Sequence, residues 1–207
     1  MHNEIRPLIE VLSEVPDPRT RRGRRYSLVS ILTLVCLATL CGYKSYGAMA
    51  QWIEDYGSEW LPRLGFTRGV APSVGTLHAI LTRLDVEKLE QILGQWAQSV
   101  LWAASGSADV SAGVSAGVSC AEVIAIDGKN LRSAAKQGAP GAHLLSALAP
   151  VLGLTLHQKA VPAKTNEIGA VQEVLAALAL EGRIVTVDAL LTQREVARTI
   201  VEKGGTT

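Results

Sequence analysis

The chain has 207 residues, of which 48% are hydrophobic, and this length and composition predict one or two domains with a sizeable core. A formal net charge of only +1 excludes a uniformly basic surface, so contacts with an acidic partner would depend on a local patch. The three cysteines, Cys36, Cys41 and Cys120, lack CxxC spacing, which is more typical of a reduced intracellular chain than of a disulfide scaffold or a structural zinc site.

The first half of the chain predicts a series of helices. Residues 5–15 have helical spacing of their apolar side chains, and a long apolar helix follows from Ser27 to Cys41, with Gly42 as its cap. The next helix is expected to end near Gly57, because glycine is a common helix stop.

Two further helices are predicted before position 104. Ser73 is the expected N-cap of the helix in the segment SVGTLHAILTRLD. The apolar side chains of residues 85–102 lie on one face of an amphipathic helix. Residues 1–103 are therefore predicted to form an all-α domain.

Arginines are concentrated in the segment DPRTRRGRR, which precedes the long apolar helix. They are Arg19, Arg21, Arg22, Arg24 and Arg25. Such a cluster favours contact with nucleic-acid phosphates, each contact adding salt-dependent affinity. The alternative is a solvated loop before a helix.

The apolar run of residues 28–41 follows these arginines, so a membrane anchor has to be considered. The run is shorter than the ~20 residues that a spanning helix needs, and it carries Ser30, Thr33 and Thr39. We predict a buried helix with no membrane partner, and a membrane-anchored protein is the less favoured alternative.

Residues 104–120 change in character, because they are rich in Ser, Gly and Ala and contain the tandem copy SAGV-SAGV, which is linker composition. The remaining pattern is β-β-β-α-β-α, with strands near residues 122–127, 143–149, 153–161 and 183–189. The predicted fold class is α+β, with a helical domain (1–103), a linker (104–120) and an α/β domain (121–207).

Two aspartates, Asp127 and Asp188, each follow a short apolar strand, the first and the fourth of this order. A right-handed crossover would place these strands side by side and parallel, ~4.8 Å apart. Their carboxylates would then meet at one sheet edge and repel each other unless a cation such as Mg²⁺ neutralised them. The alternative is that each aspartate only caps a turn. Gly128 is expected to let the backbone turn, and Lys129 to neutralise a phosphate.

The segments AIDGKNLR, KTNEI and IVTVDALLTQREVARTIVEKGG resemble the insertion-sequence DDE transposases of the H-repeat-associated type. The segments DPRTRRGRRYSLVSILTLVCLATLCGYKSYGAMAQW and SVGTLHAILTRLD resemble the helical domain that precedes the catalytic domain in that family. The similarity covers nearly the whole chain except the SAGV linker.

This resemblance implies a partial RNase H-like domain in which Asp127 and Asp188 are catalytic residues and the first two ligands of Mg²⁺ or Mn²⁺. It implies metal-dependent cleavage and transfer of DNA strands at transposon ends, without a small-molecule cofactor. Lys129, Lys164 and the arginine cluster become candidate DNA-binding residues. The family continues through a further strand and a helix that carries a third acid, a glutamate, so we expect a truncated and catalytically incomplete transposase.

A second interpretation belongs to a different class of function. The chain could be a non-catalytic DNA-binding or dimerisation module that modulates a full-length transposase. Its expected partners are DNA and either a second copy of the chain or an intact homologue. Both interpretations predict a bacterial cytoplasmic protein associated with the nucleoid.

Overall fold

The computed structural model describes residues 5–20, 24–106, 123–131, 142–161, 167–189 and 191–207. These residues form two compact units. Arg6–Ile92 form the first, which we call the helical unit, and Leu93–Thr207 with Ile5 form the second, the sheet unit. Most of the predicted linker lies outside the described residues, as do Arg21, Arg22 and Lys164.

The helical unit contains four helices and the first turns of a fifth. They are α1 (Leu8–Leu12), α2 (Leu28–Leu40), α3 (Tyr46–Arg63), α4 (Val74–Leu81) and the start of α5 (Val86–Gly106). The predicted all-helical character of this part of the chain is therefore confirmed within the described residues.

Serine side chains begin three of these helices. Ser27, Ser45 and Ser73 each accept a hydrogen bond from the backbone N–H three residues later, which satisfies one of the free amides at a helix start. The predicted cap at Ser73 is confirmed. Gly42 follows α2 with a φ of 94°, a left-handed conformation that suits glycine at a helix end.

The predicted end of α3 near Gly57 is wrong, because the helix continues to Arg63. Gly57 is buried, and an added Cβ would stand 3.2 Å from a methyl carbon of Ile53 and 3.3 Å from one of Leu61. The missing side chain thus serves close packing along the helix, and it does not mark a stop.

The long apolar helix α2 lies in the core of the helical unit. Ile31, Leu34 and Ala38 are fully buried, and Ser30 is the one polar side chain of α2 that is buried. Among the described residues, no helix combines the length and the hydropathy that crossing a bilayer requires. Burial of α2 as far as Ala38 agrees with the prediction for residues 28–41, whereas residues 39–41 are exposed, Leu40 by 82%.

The sheet unit has four strands in the order β3-β2-β1-β4. They are β1 (Val123–Leu131), β2 (Ala142–Ala149), β3 (Leu154–Val161) and β4 (Ile184–Val187). The β1–β2 and β2–β3 pairs are antiparallel, and β4 is parallel to β1. Helix α6 (Glu167–Ala176) joins β3 to β4, and α7 (Arg194–Glu202) follows β4. The predicted meander and crossover are confirmed.

One face of this sheet carries the core. Ile124, Ile126 and Val185 point to this face, and they are buried together with side chains from α6, α7 and the second half of α5. Because side chains alternate along a strand, Ala125 and Asp127 lie on the opposite face. The edge of β4 that faces away from β1 is partly paired, since the Val185 N–H donates to the Thr206 carbonyl at 2.7 Å.

Candidate functional site

The register of the parallel pair β1–β4 brings the two predicted aspartates to the same level of the sheet. The last matched pair is Ile126 with Val187, and Asp127 and Asp188 are the next residue of each chain segment. The predicted parallel neighbourhood of the first and fourth strands is therefore confirmed. Adjacent strands lie ~4.8 Å apart, so each aspartate directly follows one of two neighbouring strand residues.

The expectation that Asp127 ends its strand is wrong. Strand β1 continues to Leu131 because β2 pairs with it beyond the aspartate, matching Asp127 with Ser146 and Lys129 with Leu144. Only the pairing with β4 stops before Asp127. Asp127 therefore has a hydrogen-bonded strand on one side, while its other side lies past the end of β4.

Gly128 has a different role from the predicted backbone turn, because β1 passes through it as regular strand. A Cβ at this position would clash with Nε2 of His143, a residue of the neighbouring strand. The glycine thus leaves room for an imidazole on the face of the sheet opposite to Asp127. No sequence pattern pointed to His143, since the contact depends on the register of β2.

The surroundings of the two carboxylates differ. Both side chains are exposed, and Lys129 is exposed on the same face of β1 as Asp127. Oδ1 of Asp188 accepts a hydrogen bond from the Ala189 N–H at 2.6 Å, and the Asp188 carbonyl accepts from Leu191 N–H at 2.9 Å. Asp188 therefore also opens the turn before α7, whereas Asp127 makes no side-chain hydrogen bond with the described residues.

Two exposed carboxylates at one level fit part of a site for a hard divalent cation such as Mg²⁺, which prefers carboxylate and water oxygens. The described residues contain no group of three His, Cys, Asp or Glu side chains that could hold a metal ion. The pair would supply two ligands of an octahedral ion, and water or phosphate would hold the other positions.

The described members of the arginine cluster differ in whether they pair with Asp17. Arg19 forms two parallel hydrogen bonds to Asp17, each 2.9 Å long, and a third to the Tyr26 carbonyl. The hydrogen bonds from Arg19 hold the pKa of Asp17 below its usual value. Arg24 also folds back, since its Nε lies 3.4 Å from the Asp17 carboxylate. Arg25 is exposed and forms no ion pair with the described residues.

The similarity of this chain to known proteins extends over nearly its whole length. Residues 9–97 match the family model described as DDE_Tnp_1-associated. "Putative transposase YncI" of Escherichia coli K12 is 31% identical over 96% of this chain and 75% of its own length. The protein of that name from Escherichia coli O157:H7 is 32% identical, over 96% of this chain and 47% of its own length.

A further relative is the "H repeat-associated putative transposase YhhI" of Escherichia coli K12. It is 30% identical over 98% of this chain and 50% of its own length. The chain thus spans about half the length of two of these three relatives. No solved structure matches the chain.

Proposed function

Since the chain belongs to the insertion-sequence DDE transposases of the H-repeat-associated type, we propose that it binds DNA at transposon ends and that Asp127 and Asp188 act there as metal ligands. The observation that carries the proposal is the parallel register of β1 and β4. The parallel pairing ends at Ile126 and Val187, and each aspartate is the next residue along its chain segment.

The proposal includes an RNase H-like architecture for the sheet unit. Support comes from the strand order β3-β2-β1-β4, in which the crossover strand β4 returns parallel to the central strand β1. In open sheets with such a crossover, ligand sites lie beyond the carboxyl ends of the parallel strands. Asp188 follows the carboxyl end of β4, and Asp127 lies at that level on β1.

Each residue has a defined part in the proposed chemistry. The carboxylates of Asp127 and Asp188 would hold Mg²⁺ or Mn²⁺, which when bound supplies a Lewis acid for phosphodiester cleavage. The ammonium group of Lys129 lies two residues from Asp127 on the same face, and it would balance the charge of a DNA phosphate. The backbone of Asp127 is held in place by its pairing with Ser146 of β2.

A second candidate function is DNA binding without strand cleavage. The described residues offer two carboxylates at the sheet edge and no group of three that could hold a metal ion. A two-metal site needs carboxylates on several sides to fix both ions and the reacting oxygens. The chain would then act as a DNA-binding or dimerisation module beside a homologous transposase.

A nicking and strand-transfer assay with transposon-end DNA in Mg²⁺ or Mn²⁺ distinguishes the two candidates. Cleavage by the purified chain that is lost in Asp127→Asn and in Asp188→Asn supports the catalytic proposal. Glu202→Gln is the matched control, because Glu202 is an exposed carboxylate at the end of α7. DNA binding without cleavage supports the second candidate, and absence of DNA binding contradicts both.

A further inference from the structure

Two adjoining cavities of the helical unit share Arg25 and Tyr26 in their walls. The larger has a volume of about 520 Å³ and lies between the arginine-bearing loop and the start of α4, with Ser73 and Thr76 on its other side. The smaller has a volume of about 210 Å³ and is lined also by Thr67 and Arg68. We call the two cavities together the arginine groove.

The wall of this groove is held in place by Tyr26. Its hydroxyl donates to the Ala71 carbonyl at 3.0 Å, and its ring packs on Phe66 with 5.6 Å between ring centroids. The Tyr26 carbonyl in turn accepts the hydrogen bond from Arg19. Because both the side chain and the carbonyl of Tyr26 are hydrogen-bonded, the backbone next to Arg25 has a defined position. A fixed position of Arg25 lowers the conformational entropy that is lost on binding.

The described lining of the groove carries arginines. Among the described residues, neither cavity is lined by an aspartate or glutamate. Arg19 also borders the larger cavity, but its guanidinium is paired with Asp17. Arg25 and Arg68 are exposed and form no ion pair with the described residues, so two uncompensated guanidinium groups face this groove.

We propose that the arginine groove binds the phosphodiester backbone of DNA, with Arg25 at its centre and Arg68 at one end. A row of two adjoining cationic cavities matches a polyanion better than a single anion, since each DNA strand carries a charge about every 3.4 Å along the helix axis. The hydroxyl-bearing side of the larger cavity adds donors that suit phosphate oxygens.

This inference rests on the proposed DNA binding and narrows it to particular side chains. Within the cluster, Arg19 is a positioning residue that fixes the loop, and Arg25 makes the contact. Arg68 is not part of the arginine cluster in the sequence, and the fold brings it to the same cavity as Arg25. Such contacts are made to phosphates, so they add affinity for any DNA sequence and carry no base specificity.

The test is the salt dependence of duplex DNA binding by the full chain. The slope of the logarithm of the binding constant against the logarithm of salt concentration is negative. Arg25→Ala and Arg68→Ala should each reduce its magnitude by about 1, and the double variant by about 2. Arg25→Lys should keep most of the slope, because a point charge is retained. Arg83→Ala is the matched control, because Arg83 is an exposed arginine of the same unit outside both cavities.

The outcomes separate this inference from the proposed function. Binding with slopes reduced in Arg25→Ala and Arg68→Ala but not in Arg83→Ala supports the groove. Binding with equal slopes in all variants overturns the groove and leaves DNA binding intact. If the unaltered chain does not bind DNA, both are overturned. Circular dichroism of each variant verifies that the helical unit remains folded.

Discussion

Gly94, within α5, lies directly against the main chain of Leu156 in β3. A Cβ added at position 94 would stand 2.6 Å from the Leu156 carbonyl oxygen and 3.6 Å from its carbonyl carbon. Glycine inside a helix is ordinarily unfavourable by roughly 0.5–1 kcal/mol relative to alanine. Here the absence of a side chain lets the helix approach the strand backbone, and this contact belongs to the core of the sheet unit.

Gly94→Ala is expected to destabilise the protein by about 1–3 kcal/mol, the usual cost of overpacking. The gain in helix propensity is about 1 kcal/mol and does not offset a clash with backbone atoms. The measurement is urea unfolding followed by circular dichroism. Gly169→Ala in α6 is the matched control, because a Cβ there meets nothing within 4 Å, and it should stabilise. Equal stabilities of the two variants would contradict the prediction.

The pair Asp17–Arg19 predicts a loss of stability in acid. The pKa of Asp17 is lowered in the folded chain, chiefly by its hydrogen bonds from Arg19. The pair therefore stabilises the folded state fully above about pH 4, the usual aspartate pKa, and this stabilisation is lost as the pH falls through the folded pKa. Asp17→Asn should remove this part of the acid dependence. Nuclear magnetic resonance titration of the Asp17 carboxyl carbon tests it, and a midpoint at or above the usual aspartate value would refute the assignment.

Lys203 is expected to stabilise the junction between α6 and α7. Its Nζ donates to the carbonyl oxygens of Leu175 at 2.6 Å, Ala176 at 2.9 Å and Leu178 at 2.9 Å, close to the end of α6. The Leu175 carbonyl also accepts from the Leu178 N–H at 3.3 Å. Lys203→Met should cost about 1–3 kcal/mol, because it leaves these acceptors without their charged donor.

Thermal unfolding measures the effect of Lys203→Met. Arg198→Met is the control, because Arg198 is an exposed cation of the same helix. A melting temperature equal to that of the unaltered chain would show that water replaces the lysine at no cost. No sequence pattern singled out Lys203, since its acceptors are about 25 residues away in the chain.

Mn²⁺ is expected to bind weakly at Asp127 and Asp188, because two carboxylates leave most of an octahedral shell to water. Paramagnetic broadening should centre on the amide signals of Gly128 and Ala189, which follow the two aspartates. Asp127→Asn or Asp188→Asn should abolish the broadening at both places. Broadening that persists at Ala189 in Asp127→Asn would mean that the aspartates do not share an ion.

Much of the fold follows from local patterns. Apolar side chains at helical spacing and a serine at the expected cap predict α4, and short apolar runs predict the strands. The crossover rule then places β4 beside β1. The same reasoning failed at Gly57, where the missing side chain serves packing against Ile53 and Leu61 within the helix, and at the end of β1, which depends on pairing with β2.

The candidate functional residues likewise include some that sequence patterns could identify and some that they could not. Asp127 and Asp188 could be found because each directly follows an apolar run that predicts a strand. The right-handed crossover rule then places these two strands next to each other. Arg68 could not be found, because its link to Arg25 depends on how the segment 65–71 packs on Tyr26. Nor could sequence patterns separate Arg19 and Arg24, which pair with Asp17, from Arg25, which forms no ion pair with the described residues.

The interior position of β1 has a consequence for hydrogen exchange. Ala125 and Ile126 of β1 have a paired strand on each side, so their amides exchange with solvent only when the sheet opens. Beyond Ile126 the β4 side is no longer paired, and protection there depends on β2 alone. Asp127 thus lies at the boundary between the slowest-exchanging residues of β1 and faster-exchanging ones. Its backbone is paired with β2, while its side chain is accessible to water.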